Sequence, residues 1–168
     1  MVRSMVRTGW LLGACTILAP AVARAQATVT LTATVFQALT VTGQRNLRFD
    51  NVFPGVPKTV APDNIRAGRW RIQGQRNAPI TMTFTLPPNL IRATGETMPV
   101  GAWAATWDIN ATPAGSTAFT PSAAPTPAQL SNTVARQVYV YIGATVSPAA
   151  NQRRGAYTAT ATLTVAYQ

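Results

Sequence analysis

The C-terminal segment from Gly155 to Gln168 is the feature that most constrains how this chain folds. From position 157 onward, apolar residues occupy the odd positions, and threonines fill the even positions from 158 to 164. An alternation with a period of two predicts a β-strand with one buried face and one exposed face. At about 3.3 Å per residue the strand is long enough to cross a domain, so we expect a central strand of an all-β fold. The predicted inward-facing side chains are Tyr157, Ala159, Ala161, Leu163, Val165 and Tyr167.

The N-terminus has the composition of a secretory signal peptide. Arg3 and Arg7 precede an apolar run, and Ala23-Arg24-Ala25 forms a small-x-small cleavage site. We therefore expect residues 1–25 to be removed, leaving a secreted protein that begins at Gln26 and passes through the periplasm to the cell surface or the exterior. The apolar run is too short to span a bilayer, so no transmembrane segment is expected in the processed form.

Cys15, the one cysteine of the chain, offers an alternative reading of the leader as a lipoprotein signal. Cleavage before Cys15 would leave the apolar stretch from Ile17 to Val22 in the processed protein, so cleavage after Ala25 is the preferred interpretation. The processed chain then contains no cysteine and can form no disulfide. Its stability must come from packing and from hydrogen bonds between strands.

Short strands separated by turn residues fill the rest of the chain, and we interpret residues 26–168 as one domain. The loops are expected at 89–99 and 112–129, the latter with a short strand near Phe119, and 147–154 is expected to turn the chain into its last strand. About eight to ten strands without a helix predict an immunoglobulin-like, pilin-like β-sandwich. The predicted strands are 27–36, 38–42, a short strand before the Pro54-Gly55 turn, 58–61, 69–73, 80–86, 102–109, 134–146 and the terminal segment.

The beginning of the processed chain repeats the alternation seen at its end. Val29, Leu31, Ala33 and Val35 alternate with threonines over residues 27–35. Such a segment is predicted to form a strand with one apolar face. The two ends of the chain therefore carry matching patterns.

These two ends, together with Leu47-Arg48-Phe49-Asp50-Asn51-Val52-Phe53-Pro54-Gly55, resemble the chaperone-usher pilins. The likeness is to the archaic class typified by spore coat protein U, and to related secreted bacterial domains of unknown function. Pilins end in a glycine, alternating apolar residues and a penultimate aromatic residue, which Gly155 and Tyr167 match. Asp50 stands where these sequences usually have glycine, and the cysteines that many of them carry are absent.

The resemblance implies a structural role in a polymer. In such proteins an N-terminal donor strand, here Val29, Leu31, Ala33 and Val35, completes the sheet of a neighbouring subunit. The terminal strand, here Gly155 to Tyr167, is where a chaperone or partner docks. The implied function is a secreted structural subunit of a fimbrial or spore-coat-like surface polymer assembled by donor-strand complementation. Its implied partners are copies of itself or related subunits, a periplasmic chaperone and an outer-membrane usher.

Basic residues suggest a second kind of function. The formal net charge is +10, and Arg66, Arg69, Arg71 and Arg76 surround Trp70 in a predicted strand. We expect these arginines to form a solvent-facing strip, which is either a polyanion-binding patch or simply the wet face of a half-buried strand. The alternative function is thus a monomeric secreted or periplasmic β-sandwich module that binds a glycan or another polyanion. No nucleic-acid-binding motif is present, so no specific nucleic acid is expected.

A sugar could also stack on tryptophan. Trp103 and Trp107 lie four positions apart on one face of a predicted strand, beside Asp108. Core filling is the competing interpretation of both indole rings.

Few residues are suited to catalysis. The chain contains no histidine, its cysteine lies in the predicted leader, and the four carboxylates are Asp50, Asp63, Glu96 and Asp108 in separate segments. These residues supply no histidine as a general base, no thiol nucleophile in the processed chain and no paired carboxylates of the kind that glycosidases use. We therefore predict a non-enzymatic protein with no catalytic, metal or cofactor site.

Overall fold

A computed structural model describes residues 30, 32–112 and 116–168. The predicted signal peptide, its cleavage site, Cys15, Val29 and Leu31 lie outside the described residues. Residues 35–168 belong to one compact unit, and the fold described below is that of this unit.

Eleven strands and no helix make up the described part of the chain. This confirms the predicted all-β architecture. The strands are β1 Thr40–Arg45, β2 Lys58–Val60, β3 Gly68–Gln73, β4 Pro79–Thr85, β5 Asn89–Arg92, β6 Thr97–Asp108, β7 Thr117–Phe119, β8 Thr126–Gln129, β9 Gln137–Val146, β10 Tyr157–Thr158 and β11 Thr162–Tyr167.

The strands form two antiparallel sheets that pack in a sandwich-like arrangement. The larger sheet has the order β1-β3-β9-β6-β5-β10, with β2 also paired to β9 and β7 to β6. The smaller sheet has the order β11-β4-β8. The predicted sandwich is therefore present, with β9 rather than the terminal segment at the centre of the larger sheet.

The main core lies between the two sheets. Ile80, Met82 and Phe84 of β4 are buried and alternate with threonines, so one face of the smaller sheet points inward. They pack in one cluster with Ile72 of β3 and Val140 of β9. Each such side chain contributes about 1.5–3 kcal/mol by leaving water, which makes this cluster the main source of stability.

A second apolar cluster lies beyond the main core along β6 and β9. Its buried members are Met98, Val100, Ala144 and Val146. The residues packed against it are only partly buried, which leaves this part of the interior open on one side. They are Leu47, Phe49, Val52, Leu90, Trp103 and Tyr157.

The C-terminal segment differs from the single central strand predicted for it. Tyr157 and Thr158 pair with β5 in the larger sheet, whereas residues 162–167 pair with β4 at the edge of the smaller sheet. Residues 159–161 lie between the two strands and belong to neither. The period of two is nevertheless retained in β11, since Leu163 is buried between the exposed Thr162 and Thr164.

Two predicted loops contain strands. Residues 89–99 form the β5–β6 hairpin, in which the N–H of Arg92 donates to the carbonyl of Glu96 at 2.8 Å and Gly95 turns the chain at a φ of 94°. Within 112–129, β7 confirms the short strand near Phe119, but β8 was not predicted. Pro127 argues against a strand in a sequence-based prediction, because proline is compatible with a strand only at a sheet edge, where β8 lies.

The N-terminal strand boundaries also differ from the prediction. The described residues between 30 and 39 contain no strand, and β1 begins at Thr40 instead of Ala38. The residues of the expected short strand before Pro54-Gly55 form no strand, although the turn itself is present. This segment forms one side of the open cluster.

Candidate functional site

A groove of about 1030 Å³ opens onto the second apolar cluster. One border is residues 47–52, which continue from β1, and the other is residues 153–161, which contain β10. We call these the first border and the second border. The two borders are far apart in sequence, and the fold brings them to opposite sides of the second apolar cluster.

The floor of the groove is apolar. Buried Met98 and Val146 line it, together with partly buried Leu90 and Trp103. On the first border, Leu47 and Phe49 are more buried than the residues on either side of them, so their side chains alternate inward. A ligand that fills this groove would meet this apolar floor and, at the borders, charged residues that include Arg48, Asp50, Arg153 and Arg154.

The groove separates the two end strands of one sheet. β1 and β10 are the first and last strands in the order of the larger sheet, and residues of both line the groove. No ladder joins the two borders among the described residues. The backbone of residues 159–161 also forms no ladder with any described strand. An added strand would find unpaired backbone groups at this position.

The first border is held in place by side chains from outside the groove. Asp50 has a φ of 48°, in the left-handed region that glycine enters most easily and aspartate tolerates. Its carboxylate forms an ion pair with Arg66, and the N–H of Arg48 donates to the Arg66 carbonyl at 3.0 Å. Lys58 also donates through Nζ to the carbonyl of Asn51 at 2.8 Å. Asp50 therefore adopts a backbone conformation in which glycine is the more usual residue.

The second border contains a glycine, and a larger residue at that position would force neighbouring atoms to move. Gly155 has a φ of 146°, and a Cβ atom there would collide with the Arg92 guanidinium. That guanidinium is itself fixed by an ion pair with Glu96 at 3.0 Å, and Arg153 lies 3.6 Å from the same carboxylate. A hydrogen bond from the Thr94 hydroxyl, a backbone hydrogen bond and the Arg92 charge hold the pKa of Glu96 below its ordinary value.

The residues predicted for the terminal partner strand divide between two places. Gly155, Tyr157, Ala159 and Ala161 line the groove. Leu163, Val165 and Tyr167 pack instead into the main core. Of the predicted donor residues, Ala33 and Val35 are described and exposed outside any strand, with Val35 at 93% exposure.

The four predicted patch arginines do not form one strip. Arg66 is engaged with Asp50, and Arg76 lies exposed in the turn after β3. Arg69 and Arg71 are adjacent on the outer face of β3, where both are half-buried. The structure therefore brings together two of the four.

The two tryptophans are likewise separated. Trp103 lines the groove, whereas Trp107 packs against the main core and, with Asp108, lines a smaller pocket of about 360 Å³. A register shift in β6 between Gly101 and Ala104 contains Trp103 and precedes Trp107.

Sequence reasoning missed most of the groove. The first border was interpreted as a strand with no site assigned, and Leu90 and Met98 fell in a predicted loop. The alternation of Leu47 and Phe49 was the available signal, but a half-buried strand in a closed core produces the same pattern.

Residues 30, 32–112 and 116–168 contain no group of three or more His, Cys, Asp or Glu side chains placed to hold a metal ion. The same residues contain no helix long and apolar enough to cross a membrane.

The fold and groove define an all-β sandwich whose larger sheet leaves an apolar gap between its two end strands. The chain belongs to a family described as a domain of unknown function, DUF4402, whose model matches residues 50–167. No curated protein and no solved structure matches it.

Proposed function

We propose that this protein is a secreted structural subunit of a surface polymer, and that its groove accepts an extended strand from a second copy of the chain. The observation that supports the proposal is that β1 and β10, the end strands of one sheet, both line an apolar groove. A strand placed there would pair with backbone on both sides and bury one face on the floor. The role is non-enzymatic, and the groove is its functional site.

The proposed occupant is the segment 27–35 of the neighbouring copy. Val29, Leu31, Ala33 and Val35 would face the floor, and the intervening threonines would face solvent. At about 3.3 Å per residue, the span from Val29 to Val35 equals the span of the second border from Gly155 to Ala161. The segment carries no charge, which suits an apolar floor.

The free energy that burial of the donor segment would contribute is large for a single segment. Burying Val29, Leu31 and Val35 at about 1.5–3 kcal/mol each contributes on the order of 5–9 kcal/mol as an upper bound. This is comparable with the stability of a whole domain. A subunit with an empty groove would aggregate through its apolar floor and free edges, so the proposal includes a periplasmic chaperone and an outer-membrane usher as partners.

The donor strand is tested by placing a charge on either of its faces. Leu31→Asp should abolish SDS-resistant multimers, because the carboxylate would be buried on the apolar floor. Thr32→Asp is the matched control, since it adds the same charge on the opposite face and should leave the multimers intact. Equal loss in both variants would show that the charge, and not its position on the strand, disrupts assembly.

The acceptor side is tested by filling the groove. Ala159→Trp places an indole ring on the second border and should block assembly of copies that are themselves folded. Ala166→Trp, at an exposed position of β11 outside the groove, is the control. Mixing each variant with wild-type protein and following multimers on gels separates donor from acceptor defects, because Ala159→Trp keeps a functional donor strand.

The competing function is a monomeric binding module whose N-terminal segment pairs within its own chain. It predicts a monodisperse monomer by size-exclusion chromatography and light scattering. It also predicts residues 27–35 protected from hydrogen exchange at every concentration. That pair of results would overturn the polymer proposal.

A further inference from the structure

The outer face of the larger sheet carries two arginines in register with two tyrosines. Arg69 of β3 lies opposite Tyr141 of β9, and Arg71 lies opposite Tyr139. Side chains alternate along a strand, and Ile72 of β3 is in the core, so this group lies on the face away from the interior. We call Arg69, Arg71, Tyr139 and Tyr141 the platform.

Polar groups of the platform lack hydrogen-bond partners. The Nε atoms of Arg69 and Arg71 are buried and form no hydrogen bond with any described residue. Tyr141 is 1% exposed; burial raises its pKa, and a hydrogen bond from the Arg69 side chain together with the Arg69 charge opposes the shift. Unpaired buried donors cost free energy, and the exposed part of each guanidinium is the part that a ligand can reach.

Positive charge exceeds negative charge around the platform. Neither of its arginines forms an ion pair with a described carboxylate, and Arg45 lies opposite Arg69 on β1 as a third cation. Asp108 is opposite Tyr139 and is the one carboxylate in register with the platform; it accepts a hydrogen bond from the Asn110 N–H at 2.6 Å. Two platform arginines, with Arg45 on the neighbouring strand, thus outnumber the one carboxylate in register; the Arg45 guanidinium itself donates to the carbonyl of Ala67 at 2.6 Å.

The platform is also positioned before any ligand arrives. The Arg69 guanidinium lies 5.6 Å from the centre of the Tyr139 ring and donates to the carbonyl of Ala111 at 3.5 Å. Both platform arginines remain partly exposed. A ligand would therefore meet guanidinium groups whose conformational freedom is already reduced.

We propose that the platform binds the sulfate or carboxylate groups of an acidic polysaccharide. Guanidinium groups bind such oxyanions through paired N–H donors, and a polymer offers several oxyanions to adjacent arginines. The tyrosine rings are buried and present no face on which bases could stack, which favours a polysaccharide over single-stranded nucleic acid. This site lies on the opposite face of β3 from the core and does not depend on the groove.

The test is binding of the purified protein to heparin and to polygalacturonate, at a series of salt concentrations. Arg69→Gln with Arg71→Gln should weaken binding about tenfold or more and lower the salt dependence. The control, Arg76→Gln, removes one charge from an exposed position outside both the platform and the groove and should change binding by less than about twofold. Loss on heparin without binding to polygalacturonate identifies sulfate as the ligand group, and loss on polygalacturonate identifies carboxylate.

Three results would overturn the proposal: a loss in Arg76→Gln equal to that of the platform double variant, no wild-type binding to either polysaccharide, or binding to single-stranded DNA alone. Should the platform variant not fold, the wild-type protein gives an independent answer. Phenylglyoxal labelling with mass spectrometry should show heparin protecting Arg69 and Arg71. Protection of Arg153 and Arg154 in their place would move the binding site to the groove and refute the assignment.

Discussion

The hydroxyl of Tyr167 accepts a hydrogen bond from the backbone N–H of Gln75 at 2.7 Å. The same hydroxyl donates to the carbonyl of Gln37, and the Phe36 ring lies 5.2 Å from the Tyr167 ring between centroids. The penultimate residue therefore ties the segment before β1 and the turn after β3 to the end of β11. It fixes the point from which the proposed donor segment leaves its own subunit.

Tyr167→Phe should lower the free energy of unfolding by about 1–3 kcal/mol, because the Gln75 N–H loses its acceptor in a partly buried place. Tyr141→Phe is the matched comparison, since it removes a hydroxyl that serves no backbone N–H of the described residues as acceptor. That variant should be neutral or slightly stabilising. Urea unfolding of both variants measures the difference, and equal destabilisation would show that ring packing outweighs the hydrogen bonds.

Gly155→Ala should destabilise the protein more than Gly95→Ala. Both glycines have a positive φ, so each substitution strains the backbone by about 1–3 kcal/mol. A Cβ at position 95 meets nothing within 4 Å, whereas at position 155 it must displace Arg92 from its ion pair with Glu96. Unfolding in urea compares the two, and an equal cost would mean that Arg92 moves aside freely.

Gly143→Ala should be among the most damaging substitutions in β9. A Cβ at this position would collide with the backbone carbonyl of Val60, and backbone cannot move aside as a side chain can. Overpacking of this kind costs about 1–3 kcal/mol or more, and here it would also separate β2 from β9. Gly101→Ala is the control, since a Cβ there meets nothing within 4 Å. Thermal unfolding should show a clear loss for the first variant and little change for the second.

The strands that could be predicted from sequence are those with one clearly buried face. Ile80, Met82 and Phe84 alternate with threonines in β4, and the structure buries all three on the same side. β9 was also recognised, because Val138 and Val140 alternate with large aromatic residues and both faces are covered. In these strands the local pattern and the tertiary environment agree.

The groove could be predicted only in part. Gly155 and Tyr157 were identified from the pattern of the C-terminal segment, and both line the groove. The alternation of that segment does not reveal its division between two sheets, because the apolar residues face the interior in both parts. The floor residues Leu90 and Met98 lie near Pro87-Pro88 and Pro99, and these prolines favour the prediction of a loop. The structure has a hairpin there, which depends on long-range pairing with β9.

The stability of the protein in acid should depend in part on Glu96. Its pKa is held below the ordinary value of 4.5, first by the Thr94 hydroxyl and further by Arg92. A carboxyl group with a lowered folded-state pKa contributes its full stabilisation above the ordinary value, and this contribution disappears as the pH falls through the lowered pKa. Glu96→Gln should therefore be less stable than wild type at neutral pH, and the two proteins should become equal in acid.

This convergence separates the Glu96 contribution from general acid unfolding, to which every carboxylate adds. Unfolding in urea at intervals from about pH 7 to pH 2 gives the difference between wild type and Glu96→Gln as a function of pH. Asp63→Asn is the control for charge removal, since Asp63 is exposed and forms no ion pair with a described residue. A difference between wild type and Glu96→Gln that stayed constant across this range would show that the carboxylate contributes nothing through its charge, and that Arg92 is held at the second border by packing alone.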